Sequence, residues 1–511
     1  MKSPILVVLM FATWLTAART AERSDVFKIQ IVDDQTGRGV PLVELKTVTN
    51  QRFITDSAGV VAIREPELFG QTAFFHVSSH GYEFPKDGFG YRGKQIKIEP
   101  GGEATLKIKR LNIAERLYRV TGAGIYADTV SLGEKPPIAH PLLNAQVSGS
   151  DSVVTAIYRG RLHWFWGDTN RPKYPLGLFH VPGATSLMPS DGGLDPAVGV
   201  NLDYFVGEDG FAKATCKMPG DGPTWIFGLT VLRDADGRER LFCGYMKVRN
   251  VLDVYERGIA EFDDERQEFV HRQRFDKDVP LYPDGHPLLH KVDGVEYVYF
   301  SEAAAVMRVR ATVEAFRDLS QYEAFSCLVS GGREKSPQVD RDAAGKVVWA
   351  WKRDTAPIRW GLQEKLLKSG QLKSDEAWLK ITDDGGKPVI AHAGSVTWNE
   401  YRRRWVSVFT QHFGSSLLGE IWYSEADAPE GPWRTATKIV THDKYSFYNP
   451  KQHPYFSADR FLFFEGTYTH TFSGNTDQTP RYDYNQIMYR LDLDAPRLLK
   501  SPPRAAILQP R

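Results

Sequence analysis

The chain has 511 residues, 42% of them hydrophobic, enough for two or three domains with cores of their own. Its 64 basic and 63 acidic residues leave a formal net charge of +1, with no basic stripe or acidic tail, which argues against a nucleic-acid partner. The 12 Trp, 22 Tyr and 28 Phe favour strands and surfaces that stack on ring-shaped ligands.

Residues 1–21 read as a signal peptide. Lys2 supplies the positive start, Ile5 to Leu15 a short apolar run, and Thr16, Ala17 and Ala18 the small residues for cleavage near Ala18 or Ala21. That run falls short of the roughly 20 apolar residues a membrane span needs, and no later segment is apolar enough to cross a bilayer. The expectation is an exported protein, periplasmic or extracellular, without a membrane span. Cys216, Cys243 and Cys327 are odd in number and lack metal-ligand spacing, so they read as buried thiols.

Residues 25–110 form the first unit. Phe27 to Val32 alternates as a half-buried strand, and Asp33 to Gly39 makes a turn. Thr36-Gly37-Arg38-Gly39-Val40-Pro41, then Thr55-Asp56-Ser57-Ala58-Gly59, then Gly81-Tyr82 together resemble a carboxypeptidase regulatory-like domain. The resemblance implies a small transthyretin-like β-sandwich attached to a secreted enzyme, as spacer or binding module, with no chemistry of its own.

Between residues 117 and 495 the pattern changes to repeated hairpins. Ser152–Tyr158 turns into Leu162–Gly167, Trp225–Leu232 into Arg240–Lys247, and Pro287–Val292 into Val295–Phe300. Ser395–Trp398 turns into Trp405–Thr410, and Pro454–Phe456 into Phe461–Phe464. Further strand-like stretches follow most of them, which predicts a β-propeller of five four-stranded blades. Six blades follow if Val339–Lys352 forms a blade of its own. A strand near Gly124–Val130 is expected to close the ring, Trp360–Trp378 to hold an inserted helix, and residues 496–511 to be a tail. The fold class is thus all-β, a transthyretin-like β-sandwich followed by a five-bladed β-propeller.

Register arithmetic then places the carboxylates. A two-residue turn at Arg159-Gly160 puts Asp151 opposite Asp168 at the mouth of the first hairpin, where like charges destabilise a sheet and raise one pKa. The Asp293-Gly294 turn of the third hairpin sets His286 opposite Ser301 and gathers Asp284, His286 and Glu302 at one end. In the fifth hairpin a four-residue loop sets Glu465 opposite Gln452, close to His453 and Asn449. In blades that radiate from one axis these ends converge there. Two or three such carboxylates suit hydrolysis of a glycosidic bond, one protonating the leaving oxygen and another activating water or attacking the sugar.

Ser150-Asp151-Ser152, followed by Trp164-Phe165-Trp166-Gly167-Asp168-Thr169-Asn170, resembles the opening blade of arabinanase-like propeller glycosidases. The nearer likeness is to the branch in which Gly-Asp-Thr ends the first hairpin, which includes D-arabinan-degrading enzymes. Ala428-Pro429-Glu430-Gly431-Pro432-Trp433 is similar to the Gly-Pro-Trp turn of furanosidase propellers. The resemblance implies Asp168 as base or nucleophile and Asp151 as its neighbour; hairpin position alone offers Glu302 or Glu465 as the acid. Asp284, His286, Trp166, Asn170, Asn449 and His453 are the candidate substrate contacts. The expected function is a secreted glycoside hydrolase acting on a polysaccharide or oligosaccharide, including those of furanose sugars. The alternative is a carbohydrate-binding propeller without catalysis.

Plainer readings stand beside these. Asp168 suits an Asx-turn, the two Trp rings suit core packing, and His286 and His453 precede Pro and suit bonds to backbone carbonyls. No sequence feature asks for a cofactor: His residues are scattered, and there is no Gly-x-Ser-x-Gly elbow or phosphate loop. A Ca²⁺ at the axis occurs in some related families, but no ligands are assigned to one here. The stretch from Phe464 to Tyr468 and on to Gln486 attaches to no activity.

Overall fold

The computed structural model describes residues 25–250 and 252–498, so the expected signal peptide at 1–21 and most of the 496–511 tail lie outside the described residues. The described chain is mostly β with a few short helices, none long and apolar enough to cross a membrane. It divides into two compact units. One holds the residues up to Asn112 with Arg116–Arg119 and Gly124–Leu143, and the other holds Ile113–Glu115, Val120–Ala123 and everything from Asn144 on.

In the first unit, alternation in Phe27–Asp33 buries Phe27, Ile29 and Ile31 on one face of the strand. One sheet has the order Val60–Ile63, Phe27–Asp33, Glu103–Arg110, Tyr82–Glu83, with Phe27–Asp33 and Glu103–Arg110 parallel. The second has the order Arg52–Ile54, Glu44–Thr47, Thr72–Ser78, Gly93–Lys97. Both sheets feed one core, where Ile29, Ile31 and Ile108 meet Leu45, Phe75 and Val77. The turn before Val60 needs Gly59, at φ +75 with Ile31 O only 2.5 Å from where a Cβ would sit. The expected ring-closing strand at 124–130 is not formed. Ala127–Ser131 is a single helical turn, held by Asp56 Oδ2, which accepts from the Thr129 N–H at 2.8 Å and its hydroxyl at 2.7 Å.

The second unit is a series of five antiparallel meanders. The first sheet is Val153–Tyr158, Arg161–Trp166, Gly183–Ser186, Asp203–Tyr204, and the second is Thr224–Arg233, Glu239–Arg249, Asp253–Asp263, Glu268–Phe275. The third is His286–Val292, Val295–Ser301, Ala305–Arg310, Glu323–Ser326, Ala350–Arg353. Val339–Lys352 therefore makes no separate sheet; its end supplies the third sheet's last strand. The fourth is Ala391–Asn399, Arg404–Gln411, Glu420–Ala426, Ala436–Thr441, and the fifth contains Ser446–Gln452, Phe461–Thr469, Asn485–Asp492. The expected insertion is a helix at Trp360–Lys368, burying Leu362 and Leu366.

The first strand of each sheet lies beside the first strand of the next, and that of the fifth beside that of the first, so the meanders close a ring. Hydrogen bonds cross the junctions: Gly228 N–H to Gly285 O at 2.9 Å, Val396 N–H to Ser301 Oγ at 3.1 Å, Gln452 N–H to Ser395 Oγ at 2.8 Å, and Ser152 N–H to Thr467 Oγ1 at 2.9 Å. Aromatic residues fill the spaces between sheets, as where Phe165 meets Phe269 with ring centres 4.9 Å apart. The outer edge of the fifth sheet is completed from upstream. Val120 N–H donates to Gln486 O at 2.9 Å, and Arg490 pairs with Glu115 at 2.5 Å.

Candidate active site

The first hairpin brings two carboxylates together by breaking its own ladder. Arg159 and Gly160, at φ +50 and +74, form the primed two-residue turn that the register needs. The pairs on either side, Val153 with Trp166 and Ser150 with Thr169, keep Asp151 opposite Asp168. Between them the strands leave one sheet and re-pair in another, formed by Gly149–Ser150, Thr169–Arg171 and Tyr174–Leu178. Asp151 N–H still donates to Asp168 O at 3.1 Å. Gly167 is required by close approach, since a Cβ there would lie 2.1 Å from Asp151 Oδ1.

The two acids are held differently. Asp151 Oδ2 accepts from the phenols of Tyr448 at 3.0 Å and Tyr484 at 2.9 Å. Burial pushes Asp151 up to about 6 against those two donors. Asp168 Oδ1 has the Trp225 indole N–H at 3.0 Å, and burial followed by the charge of Asp151 pushes it up to about 7.

A second group lies at the same end of the third sheet. Asp293 and Gly294, at φ +49 and +80, make the expected turn, and His286 pairs with Ser301. Arg359, the residue before the inserted helix, reaches Asp284 Oδ2 at 2.8 Å and Glu302 Oε1 at 3.0 Å. Glu302 is 42% exposed at its side chain, yet burial raises its pKa despite Arg359. The two groups are linked by one strand. Trp225 touches Asp168, and Gly228, three residues on, packs against Asp284, a spacing of roughly 10 Å along the strand.

Glu465 lies with Lys451 and His453, whose charges bear on His286 of the second group. The expected partner was Gln452, but Glu465 faces Lys451 and Gln452 faces Phe464, so the one-residue offset arises in the turn before Phe464; a further shift lies beyond it, between Tyr448 and Lys451, where Asn449 has φ +51. Its side chain is fully enclosed, with His453 Nε2 at 3.0 Å from Oε1 and no hydrogen-bond partner for Oε2 among the described residues. Burial pushes Glu465 up to about 8 and Lys451 down to about 8, and holds His453 and His286 well below their ordinary range. Trp166 is 1% exposed and stacked on Trp164 at 6.2 Å, so it presents no open face to a sugar. Asn170 Oδ1 accepts from Leu176 N–H at 2.5 Å, and Asn449 Nδ2 donates to Ser152 Oγ at 2.7 Å beside Asp151. Tyr448, Tyr484, Trp225 and Arg359 are site residues that sequence reasoning missed; each arrives from a segment without a motif. No group of three or more His, Cys, Asp or Glu among the described residues is arranged to hold a metal ion. A cavity of about 300 Å³ lies away from these groups, on the fourth sheet beside Arg404, Glu425 and Arg434.

These groups set a pH dependence of stability. Asp151, Asp168, Glu302 and Glu465 all have raised pKa values, so the folded chain keeps protons that the unfolded chain releases. Their stabilisation is complete below about pH 4 and is lost as pH rises through the folded values. His286 and His453 act in the opposite sense, but only below about pH 6.5. Lys451 begins to restore stability only above about pH 8. Melting temperature is therefore expected to fall between about pH 6.5 and 8, and Glu465→Gln to flatten that fall. Differential scanning fluorimetry across this window checks it, and equal slopes in the two proteins would remove Glu465 as a cause.

No family model matches the chain, and no curated protein matches it in sequence. Among solved structures it is similar to a GH43_1 enzyme from Xanthomonas citri complexed with xylotriose, at 10% identity over 68% of this chain and 87% of that one, with a TM-score of 0.33. It is also similar to an exo-β-1,3-galactanase from Phanerochaete chrysosporium with β-1,3-galactotriose, at 9% identity over 74% of this chain and 65% of that one, TM-score 0.37. A third is an exo-1,5-α-L-arabinanase from a bovine ruminal metagenomic library, at 9% identity over 68% and 94%, TM-score 0.34. Likenesses at these scores carry no argument about activity.

Proposed function

We propose that the chain is an exported glycoside hydrolase acting on a polysaccharide, with furanose polymers the first class to try. In this reading the five sheets are the blades of a five-bladed β-propeller, and the first unit is a transthyretin-like, carboxypeptidase regulatory-like sandwich. The observation that carries the proposal is the Asp151–Asp168 pair, two half-buried acids set opposite each other at the mouth of the first hairpin, with burial and the charge of Asp151 pushing Asp168 up to about 7. A general base works best with its pKa near the operating pH, and burying two like charges together has no structural benefit. Asp168 is the base or nucleophile and Asp151 the neighbour that tunes it. Glu302, raised in pKa and open to solvent, is the acid. Glu465, enclosed beside His453, is left out of the reaction and supports the wall beneath it. Arg359 orients Glu302 and Asp284, and the proposal calls on no cofactor.

The test is a panel of purified polysaccharides, arabinans and other furanose polymers first, reading released reducing ends from about pH 5 to 8. Cleavage of at least one, abolished in Asp168→Asn, supports the hydrolase. Retention of a glycan without any cleavage would favour the binding module.

A further inference from the structure

Residues 470–484 connect the second and third strands of the fifth sheet, and they carry no known motif. They are nonetheless tied down. Asp483 Oδ1 accepts from the Tyr445 phenol at 2.8 Å and the His470 N–H at 2.7 Å, and Thr479 N–H donates to the Tyr445 hydroxyl at 2.9 Å. The next residue, Tyr484, is left-handed at φ +61, a conformation that bulky side chains rarely adopt. Its phenol ends on Asp151 Oδ2 at 2.9 Å. Tyr448 comes from the sheet's first strand to the same oxygen at 3.0 Å, and Asn449 beside it, at φ +51, donates to Ser152 Oγ, at φ +40. Three left-handed residues from three segments thus surround one carboxylate, and such strain persists where the surrounding structure over-determines it.

We propose that Tyr484 and Tyr448 are positioning residues for the reactive pair: by donating to one oxygen of Asp151 they hold the first negative charge there and leave the remaining proton on Asp168, and the 470–484 loop delivers Tyr484 for that purpose. The inference rests on Asp168 being the base. Two acids that bear on each other this strongly titrate in two steps that would otherwise belong to the pair rather than to either residue. Asp168 receives one neutral donor, the Trp225 indole, whereas Asp151 receives two phenols. The titratable groups that bear on the pair are the two acids, the two tyrosines and, through Tyr448, Asp483. The asymmetry makes Asp151 the first to ionise and Asp168 the second.

The experiment titrates the pair with protons alone and needs no substrate. The full chain is labelled with ¹³C-carboxyl aspartate, and its carboxylic acid band is followed by infrared difference spectroscopy in wild type, Tyr484→Phe and Tyr448→Phe. Asp168→Asn assigns the upper step by deleting it. Each phenol removed is expected to move the lower step, ionisation of Asp151, upward by about one unit, because a hydrogen bond to a charge is lost. The upper step moves less, since Asp151 is ionised on both sides of it. A lower step unmoved in both variants overturns the inference, even where turnover falls. If Tyr484→Phe does not fold, Tyr448→Phe decides the same question. The assignment of Asp168 as base fails separately, by full turnover in Asp168→Asn, and the hydrolase reading by a glycan bound without cleavage; neither result alters the titration.

Discussion

Asp168→Asn is expected to lower turnover on a cleaved polysaccharide by at least about a hundredfold, since general base work typically contributes 10²–10⁴-fold. The substitution keeps the size of the side chain and an oxygen that can accept the Trp225 N–H, and removes only the ionisable function. Affinity for the same glycan should change far less. Melting temperature at neutral pH should hold or rise, because the cost of burying the Asp168 charge, and its repulsion by Asp151, disappear with that charge. Above the folded pKa the gain should be largest, and near pH 4 it should vanish, where both chains are uncharged at this position. A turn-capping role predicts another set of results, near-normal turnover and a small loss of stability. Rate, affinity and melting temperature on one variant separate the two accounts.

Arg359→Met is expected to be the most destabilising exchange at the site. Arg359 is the cation between Asp284, 10% exposed at its side chain, and Glu302. Removing it leaves two carboxylates near each other without a counter-charge. Breaking a fully enclosed pair in this way costs about 3–5 kcal/mol, and the 42% exposure of Glu302 brings the expected loss to about 2 kcal/mol. The deficit should shrink as pH falls through the carboxylate range, where the two acids can take up protons instead. Urea unfolding at about pH 4.5 and pH 8 measures it, and a loss that is the same at both would show that Arg359 acts through packing rather than charge.

What the sequence made legible follows from how local the signal is. The first and third hairpins turn in two residues, at Arg159-Gly160 and Asp293-Gly294, so a register counted outward from the turn holds to the strand ends. That is why the sequence alone sets Asp151 opposite Asp168. The fifth hairpin has a longer, irregular turn, and the same counting misplaces the partner of Glu465 by one residue. Arg359 lies 57 positions from Glu302 and Tyr484 333 from Asp151, and no periodicity carries information over such distances. The strand expected at 124–130 failed for a related reason: the Asp56 bonds that hold a helical turn there are long-range.

The bond between Val120 and Gln486 that completes the fifth sheet has a kinetic consequence. Contacts of such sequence separation are the slowest to form, because the loop they close must lose its freedom before the contact repays it. The first hairpin can bring Asp151 opposite Asp168 from local sequence alone. The phenols of Tyr448 and Tyr484 reach Asp151 only when the last sheet docks beside the first. Refolding should therefore show native-like sheet signals before the aspartate pair acquires its final protonation behaviour. A chain interrupted before Tyr448 would carry both acids and lack the two phenols that distinguish them.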